Sequence, residues 1–596
     1  MDYMELIRNS KIIDKKYREF FLPTILTAMS TSLILIVDGI IVSNMLGTNE
    51  FAAVNCCLPV QQIFATIATL LGLGSSVAIS IARGRRESQK ADQLFTAVIL
   101  MFVAVSLILL LPQACAPAVF SRILTKDEIL YPFVYNYYSV FLWSAPFCIF
   151  LQTMEHVIRA EGKPRLASGI TIMANVINLT LDVVFMGPLK MGIKGAALAS
   201  VIGFGVGSVV SLCSFLFGKK TLHFSCKNLW TCGYEIIKTG SPAAMGEGLV
   251  AVKIFCLNMI VTATAGNNGM IAFSVCLAAL SLISMFISGA AQTMMPILGI
   301  YYGEKDFTGV RMVLKRAFRI LMICAVVVLI VLETAPGILL TTYQVTTPEE
   351  VAVAIPALRI YATSLIGVSV SFIMIYYYMT IEKQRLANII SVVNGLLIIV
   401  PCAYVLSRVA GINGVWFAFP ITELITIFII WLMAKGRIGN FYQIKEEEPS
   451  ILDISFSAED GIGAKASEQV MDFLKKYGIN GKTANKIGVA IEEMTENIYQ
   501  YSGQKQVHID LRLKADAESL MLSFCDDGPE FDPTIYQPEE KEEFAIDNIM
   551  MLKAVSKRIE YQRVIGLNKT TVFFEQMEGN GYEHERQPDT GAVSGE

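Results

Sequence analysis

Asn175, Asn178 and Asp182 interrupt an otherwise apolar stretch at i, i+3 and i+7, a spacing that puts all three on one face of a helix. A second carboxylate, Asp38, is the only charge in the apolar run 20–43. At the centre of a bilayer such a carboxylate costs about 2.5–3.5 kcal/mol, so it needs an aqueous cavity, a partner or a proton. Oxygen donors of this kind suit a hard cation, and the carboxylates among them can equally carry protons. The alternative is a polar seam that only holds helices together. Glu247, Lys253 and Glu423 are further ionisable residues in apolar surroundings. Far downstream, Glu493 and Asn497 share a helix face in IEEMTEN (491–497), and CDDGPEFDP (525–533) sets Asp526 and Gly528 in an acidic turn after a strand-like run.

The elements that must position these residues are mostly membrane helices. Hydrophobic residues make up 54% of the 596-residue chain and charged residues only 17%, against about a quarter charged in a soluble domain. A wholly soluble protein is excluded. The 48 basic and 52 acidic residues leave a net charge of −4, which gives no nucleic-acid footprint. Twelve scattered cysteines without a CxxC pair argue against a zinc site or a disulfide framework. Apolar runs long enough to span a bilayer recur at 20–43, 52–80, 93–115, 131–158, 166–188 and 192–217, then at 240–262, 270–300, 314–335, 355–380, 386–407 and 412–434. Each reaches the roughly 20 residues that a crossing needs. Residues 1–20 are basic and polar and run directly into the first span, so no cleavable signal peptide is expected.

Basic residues of short loops stay cytoplasmic. They cluster at Arg8, Lys11, Lys15, Lys16 and Arg18, at Arg83, Arg85, Arg86 and Lys90, at Arg159, Lys163 and Arg165, and at Lys305, Arg311, Lys315 and Arg316. The alternate loops near Gly47, Gly266 and Pro336 carry none. Both termini are therefore expected in the cytosol of a multi-pass cell-membrane protein. One offset recurs along the spans: Pro23 with Pro242, Gly47 with Gly266, Gly84 with Gly303, Gly192 with Gly411 and Gly195 with Gly414 all differ by 219, and KPRLAS (163–168) matches KQRLAN (383–388) at 220. An even number of spans per repeat makes the copies parallel, as in transporters whose two lobes rock about a central site.

With Pro23 and Asp38 in the first span, LGT at 46–48, GRRE at 84–87, RAEGKPR at 159–165, then Asn178, Asp182 and GIKGAALAS at 192–200, residues 15–440 resemble the multidrug and toxic compound extrusion (MATE) family. The resemblance implies an all-α polytopic fold of twelve transmembrane helices in two six-helix lobes, 20–220 and 221–440. It also implies export of organic, often cationic compounds against an inward flow of Na+ or H+. In that family the first-helix aspartate, the fifth-helix Asn-xxx-Asp pair and a sixth-helix hydroxyl form the cation site, which assigns Asp38, Asn178, Asp182 and Ser200 here. Ile34 departs from the pattern, since many relatives carry a tyrosine there. The offset carries Asp38 to Leu257 and Asp182 to Pro401, so the carboxylates are not duplicated. Glu247, Lys253 and Glu423 are left as the candidate polar site of the second lobe.

A polar N-terminal segment (1–19) precedes the lobes and an acidic linker (441–450) follows them; the pattern then becomes that of a soluble domain (451–577), and the tail 578–596 is polar and expected to be disordered. Strands are predicted at 451–456, 507–513, 520–525 and 570–574, and helices at 464–477 and 482–501. The two downstream motifs, about 30 residues apart, resemble the histidine-kinase-like ATPase fold, an α/β sandwich, most closely its anti-sigma serine-kinase branch. By that resemblance Asn497 binds the Mg2+ of bound ATP, Glu493 is the base, Asp526 hydrogen-bonds adenine, and Gly528 belongs to the nucleotide turn. Two positions depart from it. FAIDNI (544–549) stands where lid glycines belong, and Tyr501 where relatives often carry histidine. GINGKT (478–483) ends like a phosphate-binding P-loop, but Lys476 occupies its first glycine position.

The expected function is secondary efflux of small organic compounds with a cytosolic ATP-binding regulatory domain. One alternative is a flippase for lipid-linked glycans, for which Lys253 and Arg359 would be the cavity cations. The other is a membrane-anchored serine kinase acting on an anti-anti-sigma-like partner.

Overall fold

The computed structural model describes residues 6–575 apart from 126, 218–221, 343–344, 346, 436–449, 503–505, 516–519 and 537–547. The linker, the lid segment 544–547 and the tail thus lie largely outside the described residues. The chain divides into two compact units, residues 13–446 and residues 1–12 with 447–596.

The first unit is built of long apolar helices. They are α1 (Lys11–Met45), α2 (Asn49–Gly84), α3 (Ser88–Leu111), α4 (Tyr131–Ala160), α5 (Pro164–Met186), α6 (Ile193–Phe217), α7 (Leu229–Gly266), α8 (Asn268–Gly303), α9 (Phe307–Thr334), α10 (Pro348–Thr380) and a segment Gln384–Ala434 of 51 residues. At 1.5 Å per residue the last would run about 77 Å, more than twice a hydrocarbon core of about 30 Å. Its backbone leaves helical geometry at Ala410 and Gly411, which splits it into α11 (384–409) and α12 (412–434). Twelve spans result among the described residues, as the apolar runs predict. Large apolar side chains such as Leu22, Leu33, Ile323, Val327 and Ile330 are exposed along their outer faces, where lipid replaces water as the solvent.

The repeat is visible in the backbone. Left-handed φ angles occur at Gly47 and Gly266, at Arg86 and Lys305, and at Gly192 and Gly411, each pair 219 apart. At the 220 offset, Gly162 has Glu382 as its left-handed counterpart. The copies also meet each other. A Cβ on Gly84 would lie 2.2 Å from the Ile300 carbonyl, one on Gly303 2.4 Å from the Ile81 carbonyl, and one on Gly299 2.9 Å from the Ser80 Cβ. Ser80-xxx-Gly84 on α2 thus packs on its own repeat image, Gly299-xxx-Gly303 on α8, the small-residue pattern that lets membrane helices approach closely. Around this contact Arg85 pairs with Glu382 (2.7 Å), which also accepts from Tyr302 (3.3 Å). Lys90 pairs with Glu235 (3.2 Å). Buried Arg159 holds Glu155 and, across the lobes, Gln292. These contacts lie at the end of the helices that carries the basic loops.

The second unit is a five-stranded antiparallel sheet of order β1-β2-β3-β5-β4. Its strands are β1 (Ile451–Ser457), β2 (His508–Ala515), β3 (Leu520–Asp526), β4 (Arg558–Val564) and β5 (Leu567–Phe574). Its helices are α13 (Ile462–Lys476), α14 (Gly481–Tyr501) and α15 (Asn548–Val555). One sheet face supplies Ile454, Phe456, Ile509, Leu511, Leu522 and Phe524 to a core shared with Val470, Leu474, Ile487, Ile491 and Met494 of the helices. Asn480 caps α14 by accepting from the Lys482 amide (3.0 Å). Sequence periodicity misses β4 and α15. The first is an edge strand of mixed charge that buries little, and the second has only eight residues, too few for helical periodicity to show.

Candidate functional site

In the first lobe the fifth helix turns its polar face toward α1 and α6. Asn175 Nδ2 donates to Ser30 Oγ of α1 (3.0 Å), and Asn178 Nδ2 to Ser200 Oγ of α6 (3.3 Å). Gly203 makes the second bond reachable, because a Cβ there would stand 2.8 Å from the Asn178 Cβ. Asp182 is fully buried, and neither of its oxygens receives a backbone, hydroxyl or amide donor. Its carboxyl neighbour is Asp38 of α1. Two neighbouring carboxyl groups, one of them fully buried without a backbone, hydroxyl or amide donor, favour a shared proton or a bound cation. The structure thus brings all four residues assigned from the sequence to one place. It adds Tyr137 of α4, a buried phenol within electrostatic reach of both aspartates. Nothing in the sequence marks that tyrosine among its aromatic neighbours.

The three candidates of the second lobe do not form one cluster. Glu423 of α12 accepts from Ser371 Oγ of α10 (2.7 Å) and from Asn394 Nδ2 of α11 (2.6 Å), and Lys253 of α7 faces it electrostatically. Asn394 lies in the π-helical turn Val393–Leu397, which shifts the helix register by one residue and so changes which side chains point inward. Glu247 stands apart and accepts from Gln62 Nε2 of α2, across the lobes, at 3.1 Å. Ser371 and Asn394 carry no sequence signal, since isolated hydroxyls and amides are common in apolar helices.

In the second unit Glu493 and Asn497 lie on α14. Burial raises the Glu493 carboxyl above its ordinary range, and its neighbours Glu492 and Glu496 add to the shift. Asn497 is buried, and its Oδ1 receives no donor. Asp526, at the end of β3, accepts from the Gly528 amide and from Asn568 Nδ2, both at 2.9 Å and both at its Oδ1. Burial nevertheless pushes its carboxyl up to about 6, and the two hydrogen bonds only partly offset it. Asn568 of β5, not singled out from the sequence, also donates to the Pro529 carbonyl (2.6 Å) and accepts from Tyr561 (2.9 Å) and Arg563 (2.6 Å), tying the acidic turn to the sheet. Tyr501 lies tilted against Phe531 at 4.4 Å and meets Tyr536 edge-on at 6.4 Å, so Tyr501 is part of an aromatic cluster.

The helical unit and its internal repeat define a two-lobed membrane transporter, and comparison with known proteins agrees. The MatE family model matches residues 23–184 and 242–405, once per lobe, with the two matches starting 219 residues apart. The chain belongs to that family and is a multi-pass membrane protein. The histidine kinase-like ATPase domain model matches residues 456–573, and the second unit is a domain of that kind. Among characterised relatives, the multidrug export protein MepA of Staphylococcus haemolyticus is 23% identical over 430 residues, 70% of this chain and 92% of the relative. MepA of Staphylococcus aureus MRSA252 is 22% identical over 433 residues, 70% of this chain and 94% of the relative. Among solved structures, an outward-facing multidrug resistance MATE family transporter superposes with TM-score 0.65 at 20% identity, covering 71% of this chain and 95% of that one. A MOP superfamily transporter from Pyrococcus furiosus gives 0.66 at 21%, with the same two coverages.

Proposed function

We propose that the protein exports small organic compounds, cationic ones included, in exchange for Na+ or H+ entering through the first lobe. The observation that carries this reading is the apposition of Asp38 and Asp182, flanked by Asn178, Ser200 and Tyr137. A Na+ ion would sit among these oxygens, or a proton would be shared between the two carboxyls. The names of the MepA relatives support organic export. Lys253 faces Glu423, and Arg359 stands 3.9 Å from Glu333. Cations already matched by carboxylates suit an anionic lipid-linked substrate poorly, which favours efflux over the flippase reading. The basic loops support cytosolic termini.

For the second unit the reading is Mg-ATP binding that regulates transport. The free acceptor Asn497 Oδ1 suits a Mg2+ ion, and Asp526 retains one carboxylate oxygen for an adenine amino group. Glu493 would be the base only if a protein partner is phosphorylated. The test is dye efflux from proteoliposomes with Na+ and H+ gradients imposed separately. Efflux driven by one of them is expected, and none under either would overturn the reading.

A further inference from the structure

Residues 6–9 belong to the ATPase-like unit although they stand at the opposite end of the chain. They bind it with alternating side chains. Gln469 of α13 reads the Leu6 backbone twice, its Oε1 accepting from the amide (2.9 Å) and its Nε2 donating to the carbonyl (3.0 Å). Leu6 itself packs on the domain core, whereas Ile7 is 71% exposed. Arg8 turns back in, 3.2 Å from Asp510 and 3.9 Å from Asp453. All three side chains are nearly buried, at 7%, 2% and 9% exposure. Arg512 faces Asp453 at 3.8 Å, and Arg8 brings a second positive charge to the pair of carboxylates. Ser455 Oγ donates to Asp510 (2.6 Å) and accepts from the Asn9 amide (3.1 Å).

Asp453, Ser455, Asp510 and Arg512 are register neighbours on β1 and β2. By strand alternation they lie on the face opposite the core residues Ile454, Phe456, Ile509 and Leu511. The segment therefore passes from α13 around the edge strand β1 to the open face of the sheet. The chain then enters α1 without slack, because Asn9, held by Ser455, uses its own Oδ1 to accept from the Lys11 amide (3.0 Å) at the start of that helix. The same α1 carries Asp38. At its other end the unit continues the chain that leaves α12, in the second lobe.

We propose that Gln469, Asp453, Ser455 and Asp510 form a receptor for an extended, arginine-bearing segment, and that its occupant is residues 6–9 of this chain. Docking fixes the segment that leads into α1, so the ATPase-like unit is tied to the chain at two points: non-covalently through residues 6–9 and covalently through the chain that leaves α12. The inference goes beyond the transport reading and uses neither nucleotide nor substrate.

Hydrogen–deuterium exchange on the full-length protein in lipid nanodiscs tests it. Wild-type amides 6–12 should be protected. Arg8→Ala should speed their exchange by at least about 100-fold, the lower bound expected when one partner of a buried ion pair is removed, and should raise exchange in residues 13–22 of α1. Arg8→Lys should restore part of the protection. Gln469→Ala, which leaves the ion pairs in place, should give the same pattern in weaker form. Unchanged protection of β3 and β5 shows that the sheet stays folded; should Arg8→Ala disturb it, Gln469→Ala decides. Unprotected amides 6–12 in the wild type would overturn the proposal, as would release of the segment with no change in 13–22. Both readouts stand whether or not the protein transports or binds ATP.

Discussion

At the scale of single residues, the buried carboxyl of Asp526 makes a pH-dependent contribution whose sign follows from its environment. It titrates near 6 in the fold, against an ordinary 3.8. Between these values the folded domain holds a proton that the unfolded chain has released, so stability falls as pH rises through the window. A two-unit shift corresponds to about 3 kcal/mol, fully felt at pH 7. Asp526→Asn should flatten that part of the profile, which pulse proteolysis of the full-length protein in urea from pH 4.5 to 7.5 would show. An equally steep profile in the variant would place the titration elsewhere. For Asn497, loss of the proposed metal ligand in Asn497→Ala should weaken Mg-ATP binding by at least about tenfold, or 1.4 kcal/mol. A fluorescent nucleotide titrated against the full-length protein measures it, and unaltered affinity would remove Asn497 from the site. Asp38 and Asp182 stood out in the sequence because a charge in an apolar run is costly, and Asn178 because its spacing puts it on the same helix face as Asp182. Tyr137, Ser371, Asn394 and Asn568 were not, because a phenol, a hydroxyl or an amide can sit in a helix or strand for ordinary packing reasons.

At the scale of elements, the lobes meet where α2 and α8 bring Ser80-xxx-Gly84 against Gly299-xxx-Gly303. A Cβ at either glycine of the second pair of positions, 84 or 303, already falls within 2.4 Å of a carbonyl oxygen. Leucine there must push the helices apart, and overpacking of this kind costs about 1–3 kcal/mol. Gly84→Leu or Gly303→Leu should lower efflux by about fivefold or more, because that cost falls on the state in which α2 and α8 touch. Gly169→Leu on α5, where nothing lies within 4 Å of an added Cβ, should leave it unchanged. Proteoliposome efflux at matched protein content distinguishes these outcomes, and equal loss at all three positions would deny the α2–α8 contact a specific role. The repeat was readable at this scale because glycines at turns are dictated by backbone conformation. Gly192 and Gly411 share not only the 219-residue offset but φ angles of 62° and 61°. The π-helical turn at Val393–Leu397 was not readable, since no residue type encodes a one-residue slip of register. Strand β4 was missed for a related reason: in RIEYQRV (558–564) only Ile559 and Tyr561 mark an apolar face before Arg563 interrupts it, too short an alternation to stand out.

For the whole molecule, composition alone separated a membrane part from a soluble part near residue 440, and both family assignments follow that division. It could not reveal that residues 6–9 pair with Gln469, Asp453 and Asp510, because that contact joins positions more than 440 residues apart and depends on a fold not encoded locally. The proposed orientation predicts that a reporter fused after Lys445 is active only in the cytosol. Periplasmic activity would require an odd number of spans and break the parallel repeat. The central claim is that ions drive export through the facing carboxyls of Asp38 and Asp182. Gradient-driven dye efflux from proteoliposomes carrying wild type, Asp38→Asn or Asp182→Asn tests it most directly. Each substitution keeps the side-chain shape while removing the titratable, cation-binding oxygen, so the driven rate should fall to that of protein-free liposomes although both variants remain folded and reconstituted. Wild-type rates in either variant would contradict the account.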